Sequence, residues 1–117
     1  MNASNQKTAL VTGASRGIGR ATALALAGEG VRVLVHYGNS AAEANALVEQ
    51  IRAEGGAAEA LQADMGTPDG PQELARQVRA IVGDRLDILV SNAGIAKAAA
   101  MEDHTVEDFD RLFATNV

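Results

Sequence analysis

Cysteine and tryptophan are absent from this chain, proline occurs twice, and aromatic residues make up only 3% of it. Without cysteine there is no disulfide framework, no thiolate nucleophile and no cysteine-ligated zinc, and no metal site is expected. With so few rings, the 47% of hydrophobic residues is mostly Ala, Val, Leu and Ile, which suits a helix-covered parallel sheet better than a β-sandwich. No apolar run approaches membrane-spanning length, and the start, MNASNQK, lacks the apolar core of a signal peptide. A cytoplasmic protein with no membrane partner is the expectation. Ten basic against 15 acidic residues give a net charge of −5 with no basic stripe, so nucleic acid is not an expected partner either. At 117 residues the chain holds at most one domain, with apolar mass enough for one core.

What is there is organised around Thr8 to Gly28, TALVTGASRGIGRATALALAG. Leu10 and Val11 are strand-like. Gly13, Gly17 and Gly19 then punctuate a turn, and from Ile18 the apolar positions Ile18, Ala21 and Ala25 recur at helical spacing. A strand feeding a glycine turn that opens a helix aims unpaired backbone N–H groups and the positive end of the helix dipole at one spot, which binds phosphate. Gly13 lets the chain leave the strand sharply, Gly17 keeps a Cβ away from an approaching pyrophosphate, and Gly19 lets the helix sit close on the strand. The spacing is neither G-x-G-x-x-G nor a P-loop, which would end in Gly-Lys-Ser/Thr. A glycine turn with no ligand is the plain alternative.

Further on, Val31–His36 reads as a second strand, and Ser40 to Glu43 as a capping box opening a helix whose stripe is Ala44, Leu47, Val48 and Ile51. A weak third strand over Ala57–Ala63 stops at Asp64. Thr67-Pro68-Asp69-Gly70-Pro71 starts a helix with the stripe Leu74, Val78, Ile81 and Val82, and Leu86–Val90 is an apolar fourth strand. Thr105 caps a last helix. Strands alternating with amphipathic helices across short loops predict α/β architecture: a Rossmann-type doubly wound parallel sheet with the first four strands in order 3-2-1-4. The crevice is expected at the C-terminal ends of the first and fourth strands. The fourth strand is expected to be an apolar sheet edge.

Sites that prefer NAD usually carry a carboxylate about 20 residues after the glycines, at the end of the second strand, to hold the ribose 2′-hydroxyl. Here that strand ends His36-Tyr37-Gly38-Asn39-Ser40, and the first acid is Glu43. The absence removes a repulsion toward the 2′-phosphate of NADP, and it also argues against a methyltransferase-like sheet. Arg16 supplies a guanidinium that can fork onto that phosphate, with Asn39 and Ser40 as further donors, so NADP is favoured over NAD. Tyr37 stands with them at the strand end. Taken singly, His36 and Tyr37 read as ordinary strand-end residues.

Thr12-Gly13-Ala14-Ser15-Arg16-Gly17-Ile18-Gly19 resembles the cofactor turn of the short-chain dehydrogenase/reductase family, and three further segments extend the resemblance in the right order. Asn92-Ala93-Gly94 is similar to the family's Asn-Ala-Gly motif beside the adenine ribose. Asp64, followed by Met65, resembles the acid that contacts the adenine amino group. Phe-Ala-Thr-Asn-Val resembles the segment whose Asn, here Asn116, completes the catalytic tetrad. Independently of the family, Asn116 follows Phe109, Leu112 and Phe113 by seven, four and three residues, so a polar amide sits on an apolar helix stripe and should have specific partners. The general look is similar to the family's 3-oxoacyl-carrier-protein reductases.

The resemblance implies an NADP-dependent oxidoreductase that passes hydride between nicotinamide and a carbonyl or alcohol substrate. Cofactor contacts are implied at Gly13, Ser15, Arg16, Ile18, Asp64 and Asn92, and a homodimer or homotetramer for the full-length protein. The remaining tetrad members, a Ser and a Tyr-x-x-x-Lys pair, are missing: the one tyrosine, Tyr37, has Ala41 four residues on. Residues 1–117 are therefore expected to form an incomplete NAD(P)-binding domain, truncated before the later strands and inactive alone, because the chain stops at Val117 within a helix pattern. The alternatives are an inactive dinucleotide-binding fragment or regulatory module, and a split protein completed by a second chain.

Overall fold

The computed structural model describes residues 6–15, 17–83, 85–91 and 97–100, the last stretch as backbone alone. Among them the chain alternates strand and helix: β1 (Thr8–Thr12), α1 (Gly17–Gly28), β2 (Arg32–Tyr37), α2 (Ala41–Ala53), β3 (Ala58–Gln62), α3 (Gly70–Val82), β4 (Ile88–Ser91) and β5 (Lys97–Ala100). They form one sheet in the order β3-β2-β1-β4-β5. The first four strands are parallel, with Leu10 registered on Leu34 and on Leu89, so the predicted order 3-2-1-4 is the one observed.

Burial explains the layering. Successive strand residues point to opposite faces, and both faces of this sheet are covered. Val11, Val33 and Val35 pack with Ala23 of α1 and with Ala44, Leu47, Val48 and Ile51 of α2. Leu10, Leu34 and Leu89 face the other way, onto Leu74, Ala75 and Val78 of α3. This is what right-handed crossovers demand: two move the chain one way across one face, and the third returns it across the other. All five β1 residues are buried, the signature of a central strand.

Four expectations need correction. β4 is not a sheet edge, because β5 pairs with it antiparallel, Ser91 opposite Lys97 and Ile88 opposite Ala100. The inner face of α1 is not Ile18, Ala21 and Ala25. Its buried residues are Gly19 and Ala23, while Ile18 is 69% exposed. A helix pressed this closely against its sheet needs its smallest residues inside. Ser40 is the N-cap of α2 but makes no side-chain capping bond; only its carbonyl is used, accepting Ala44 N–H at 3.0 Å. The strands also shift at their ends, β2 running one residue later than expected, β4 two residues later at its start and one at its end, and β3 one residue shorter at each end. The expected helix after Thr105 lies outside the described residues. No helix among the described residues is long and apolar enough to cross a membrane.

Candidate cofactor-binding site

The site is built from the turn upward. The chain leaves β1 through Gly13 at φ +60° and enters α1 through Gly17 at φ +64°, a backbone region that side chains disfavour and glycine does not. At Gly19 the constraint is space. A Cβ there would stand 2.3 Å from the Gly13 carbonyl oxygen and 3.0 Å from Ala14 Cα, so the first turn of α1 closes directly on the backbone it has just left. At Gly17 nothing lies within 4 Å of where a Cβ would be. The two glycines therefore differ: a Cβ at Gly19 would meet backbone, and one at Gly17 would stand in open space. The first turn of α1 holds no acidic residue, so its positive end is not neutralised from within the helix.

What holds the turn is a residue that reads as ordinary in the sequence. His36, only 3% exposed, lies on β2 and, by strand alternation, on the side of Leu34. Its backbone carbonyl accepts Ala14 N–H at 3.0 Å, and its ring bridges two other strand ends. Gly13 N–H is 3.1 Å from Nδ1, and Nε2 is 2.9 Å from the Ala63 carbonyl oxygen. A carbonyl only accepts, so Nε2 carries the proton; Nδ1 is then the unprotonated nitrogen and accepts from Gly13. Burial pushes the imidazole pKa down, and the Ala63 bond opposes this in part. The ring is thus held neutral in one tautomer across the ends of β1, β2 and β3. A polar ring following the apolar run Val33-Leu34-Val35 was the available signal: buried, it had to find partners on both nitrogens.

The other predicted positions gather at the same end of the sheet. Ser15 is buried within the turn, and Ile18 stands exposed just after it. At the end of β2, half-buried Tyr37 packs against the core shared with α1 and α2, and its carbonyl accepts Ala63 N–H at 3.2 Å. Exposed Asn39 and half-buried Ser40 follow. Past β3, Asp64 is exposed and structures its own turn: Oδ1 accepts Gly66 N–H at 2.9 Å and its carbonyl accepts the Thr67 hydroxyl at 2.9 Å. Met65 packs partly against the α3-side core. Ser91 at the end of β4 is registered on Thr12, which brings the fourth strand's exit beside the glycine turn. Gly13, Ser15, Gly17, Ile18, Gly19, Tyr37, Asn39, Ser40, Asp64 and Met65 thus share one rim. Arg16, Asn92, Ala93, Gly94 and Asn116 lie outside the described residues.

Four parallel strands in the order 3-2-1-4, the first opening through a glycine-bounded turn into a helix, make a Rossmann-type architecture, with the crevice at the point where strand order reverses. The chain belongs to the short chain dehydrogenase family, whose model matches residues 7–117. It is 47% identical over 110 residues to versicolorin reductase 1 of Aspergillus parasiticus, covering 94% of this chain and 42% of that protein. It is 42% identical over 117 residues to a 3-oxoacyl-[acyl-carrier-protein] reductase of Synechocystis, covering all of this chain and 47% of that protein. Among solved structures, the angucycline C-6 ketoreductase LanV with bound NADP superimposes with a TM-score of 0.69, at 45% identity, covering 95% of this chain and 45% of that one. The chain spans less than half the length of these relatives.

Proposed function

We propose that residues 1–117 form the cofactor-binding half of an NADP-dependent reductase that moves hydride between nicotinamide and a carbonyl or alcohol carbon. The observation that carries this is the Gly13–Gly19 contact, which seats the start of α1 directly on the turn at the switch point of the sheet, so that the amides after Gly13 and Ala14, whose own N–H groups His36 takes, are the ones offered to a ligand. A dinucleotide fits it: amides and the uncompensated helix end take the diphosphate, and the space open at Gly17 admits it. Exposed Ile18 offers apolar surface for a bound ring.

The choice of NADP rests on β2, which ends in Tyr37, Gly38, Asn39 and Ser40 with no carboxylate to repel a 2′-phosphate. It is consistent with the NADP bound in LanV. In this proposal Arg16 forks onto the 2′-phosphate, Asn39 and Ser40 donate to it, Asp64 takes the adenine amino group, and Asn92, Ala93 and Gly94 line the adenine-ribose side. Asn116 belongs to the active site, where it steadies the proton relay. Nicotinamide supplies the hydride; this chain's part is to hold and orient it. The 117 residues contain no Tyr-x-x-x-Lys pair, so turnover, the substrate pocket and a homo-oligomeric assembly in the cytoplasm are proposed for a longer protein.

Calorimetric titration with NADP+ and NAD+ tests this. The chain should bind NADP+ more tightly, and Arg16→Ala should weaken NADP+ about tenfold or more while changing NAD+ little, since a charge-assisted bond is worth roughly 1.5–3 kcal/mol. Equal losses for both would remove the assigned role of Arg16, and no binding of either would overturn the proposal. With NADPH and a carbonyl substrate, these 117 residues alone should show no oxidation.

A further inference from the structure

The buried ring of His36 takes no direct part in the proposal above, yet it is the side chain that ties the glycine turn to the rest of the sheet. We infer that His36 is a positioning residue for the dinucleotide turn: its neutral ring engages Gly13 N–H, fixes the turn's shape and leaves the later amides to the ligand, so that protonating His36 loosens the cofactor site. The inference rests on the proposed function for its ligand, and on the geometry alone for its switch.

The bonds specify the consequence. The Ala63 carbonyl holds Nε2 as a donor, which makes Nδ1 the acceptor for Gly13. An imidazolium donates from both nitrogens, so on protonation Nδ1–H would face Gly13 N–H, hydrogen to hydrogen. The Ala63 bond survives this change. Strain is thus delivered to one side only, the Gly13 side, and the space beyond is closed because the first turn of α1 packs on the Gly13 carbonyl. Gly13 can escape only by moving the turn.

Neighbouring charges do not decide the outcome. β1 carries no titratable side chain. At the end of β3 the Asp64 carboxylate is engaged by Gly66 N–H, and on α3, across the face that His36 shares with Leu34, Glu73 pairs with Arg76. Tyr37, next on β2, belongs to the opposite layer. A cation at His36 would attract a bound phosphate, an effect opposed to the loss of the turn; a positioning role requires that the loss prevail.

Side-chain geometry supplies a discriminating pair of variants. Asn places an oxygen near the position of Nδ1 without a group that titrates here, and Gln reaches toward Ala63 as Nε2 does without an acceptor for Gly13. Binding of NADP+ would be measured by calorimetry at pH 8.0 and pH 5.5. The wild type should lose more affinity across this interval than H36N, by a factor below about ten because burial holds the ring under its ordinary pKa of 6.5; H36N carries the ligand's own phosphate titration and so serves as its correction. H36Q should bind more weakly than H36N at both pH values.

Amide and ring 15N NMR of the ligand-free wild type tests the switch without a ligand and without a variant. At pH 8.0 the ring should show an unprotonated Nδ1 and a protonated Nε2, and on acidification the Gly13 amide should shift in step with ring protonation. Equal pH dependence of binding in wild type and H36N, or a Gly13 amide indifferent to the ring's titration, would overturn the inference. Tight NADP+ binding is the separate test of the proposed function: its complete absence at pH 8.0 sinks that proposal while the NMR result still judges the His36–Gly13 switch.

Discussion

Gly19 stands against Gly13 so closely that a methyl group on the first would lie 2.3 Å from the carbonyl oxygen of the second. The neighbours are backbone, which cannot swing aside as a side chain could. Gly19→Ala must therefore push α1 off the turn, at a cost of about 2–3 kcal/mol by the usual scale of overpacking. Gly17→Ala meets no neighbour within 4 Å and suffers only its left-handed backbone, φ +64°, roughly 1–2 kcal/mol. Urea denaturation of the two variants should rank Gly19→Ala as the more damaging. The reverse order would mean that the helix does not close on the turn as described.

Gly70 makes a sharper case, because local and tertiary effects have opposite signs. It is the first residue of α3, where alanine is the better helix former by roughly 1 kcal/mol. A Cβ there would lie 1.9 Å from the Asp64 carbonyl oxygen and 2.7 Å from its carbon. Contact at that distance outweighs any gain in propensity, so Gly70→Ala should lower stability by at least about 1–3 kcal/mol. A variant as stable as the wild type in thermal unfolding would show that α3 does not start against the end of β3.

Much of the architecture was legible because it follows from patterns of large side chains. The stripe Ala44, Leu47, Val48 and Ile51 is the buried face of α2, Leu74 and Val78 are buried on α3, and alternation of strands with helices led to the order 3-2-1-4. What was misread involves residues that carry little pattern. The inner face of α1 is Gly19 and Ala23, whose smallness is itself the reason for the close packing, and apolar periodicity pointed to exposed Ile18 instead. Lys97–Ala100 has weak strand propensity and forms β5 only because β4 offers it an edge. At the site, the glycines announced the turn. His36 did not announce its role, since its partners Gly13 and Ala63 lie 23 and 27 residues away and meet only in the folded sheet.

The same histidine makes stability depend on pH with a definite sign. Burial lowers its pKa in the folded protein, so the unfolded chain, titrating near 6.5, takes up a proton first as pH falls. The stability present above pH 6.5 is then lost progressively on acidification through the folded pKa, with a slope of at most about 1.4 kcal/mol per pH unit for one proton. Urea midpoints at pH 7.5 and pH 5.5 should differ more for the wild type than for His36→Asn; His104 is common to both and cancels. An identical pH response would show that His36 is not the buried neutral group described.

Asp87 secures the opposite end of the sheet. Its N–H donates to the Thr8 carbonyl at 3.1 Å, and its Oδ2 accepts Thr8 N–H at 2.9 Å, so one residue before β4 satisfies both backbone groups at the start of β1. Oδ1 also accepts from Arg85 Nε at 3.2 Å, but that arginine is largely exposed and the ion pair adds little. Asp87→Ala would leave the part-buried Thr8 N–H without its acceptor, a loss of about 1–3 kcal/mol. Asp87→Asn, which keeps an oxygen that can face Thr8, should recover most of that loss, whereas Arg85→Ala should cost under about 1 kcal/mol. Because Thr8 lies far along β1 from the glycine turn, Asp87→Ala should reduce thermal stability while leaving the affinity for NADP+ at pH 8.0 within about twofold of the wild type. A parallel collapse of binding at a temperature where the variant remains folded would show that the two ends of β1 are coupled.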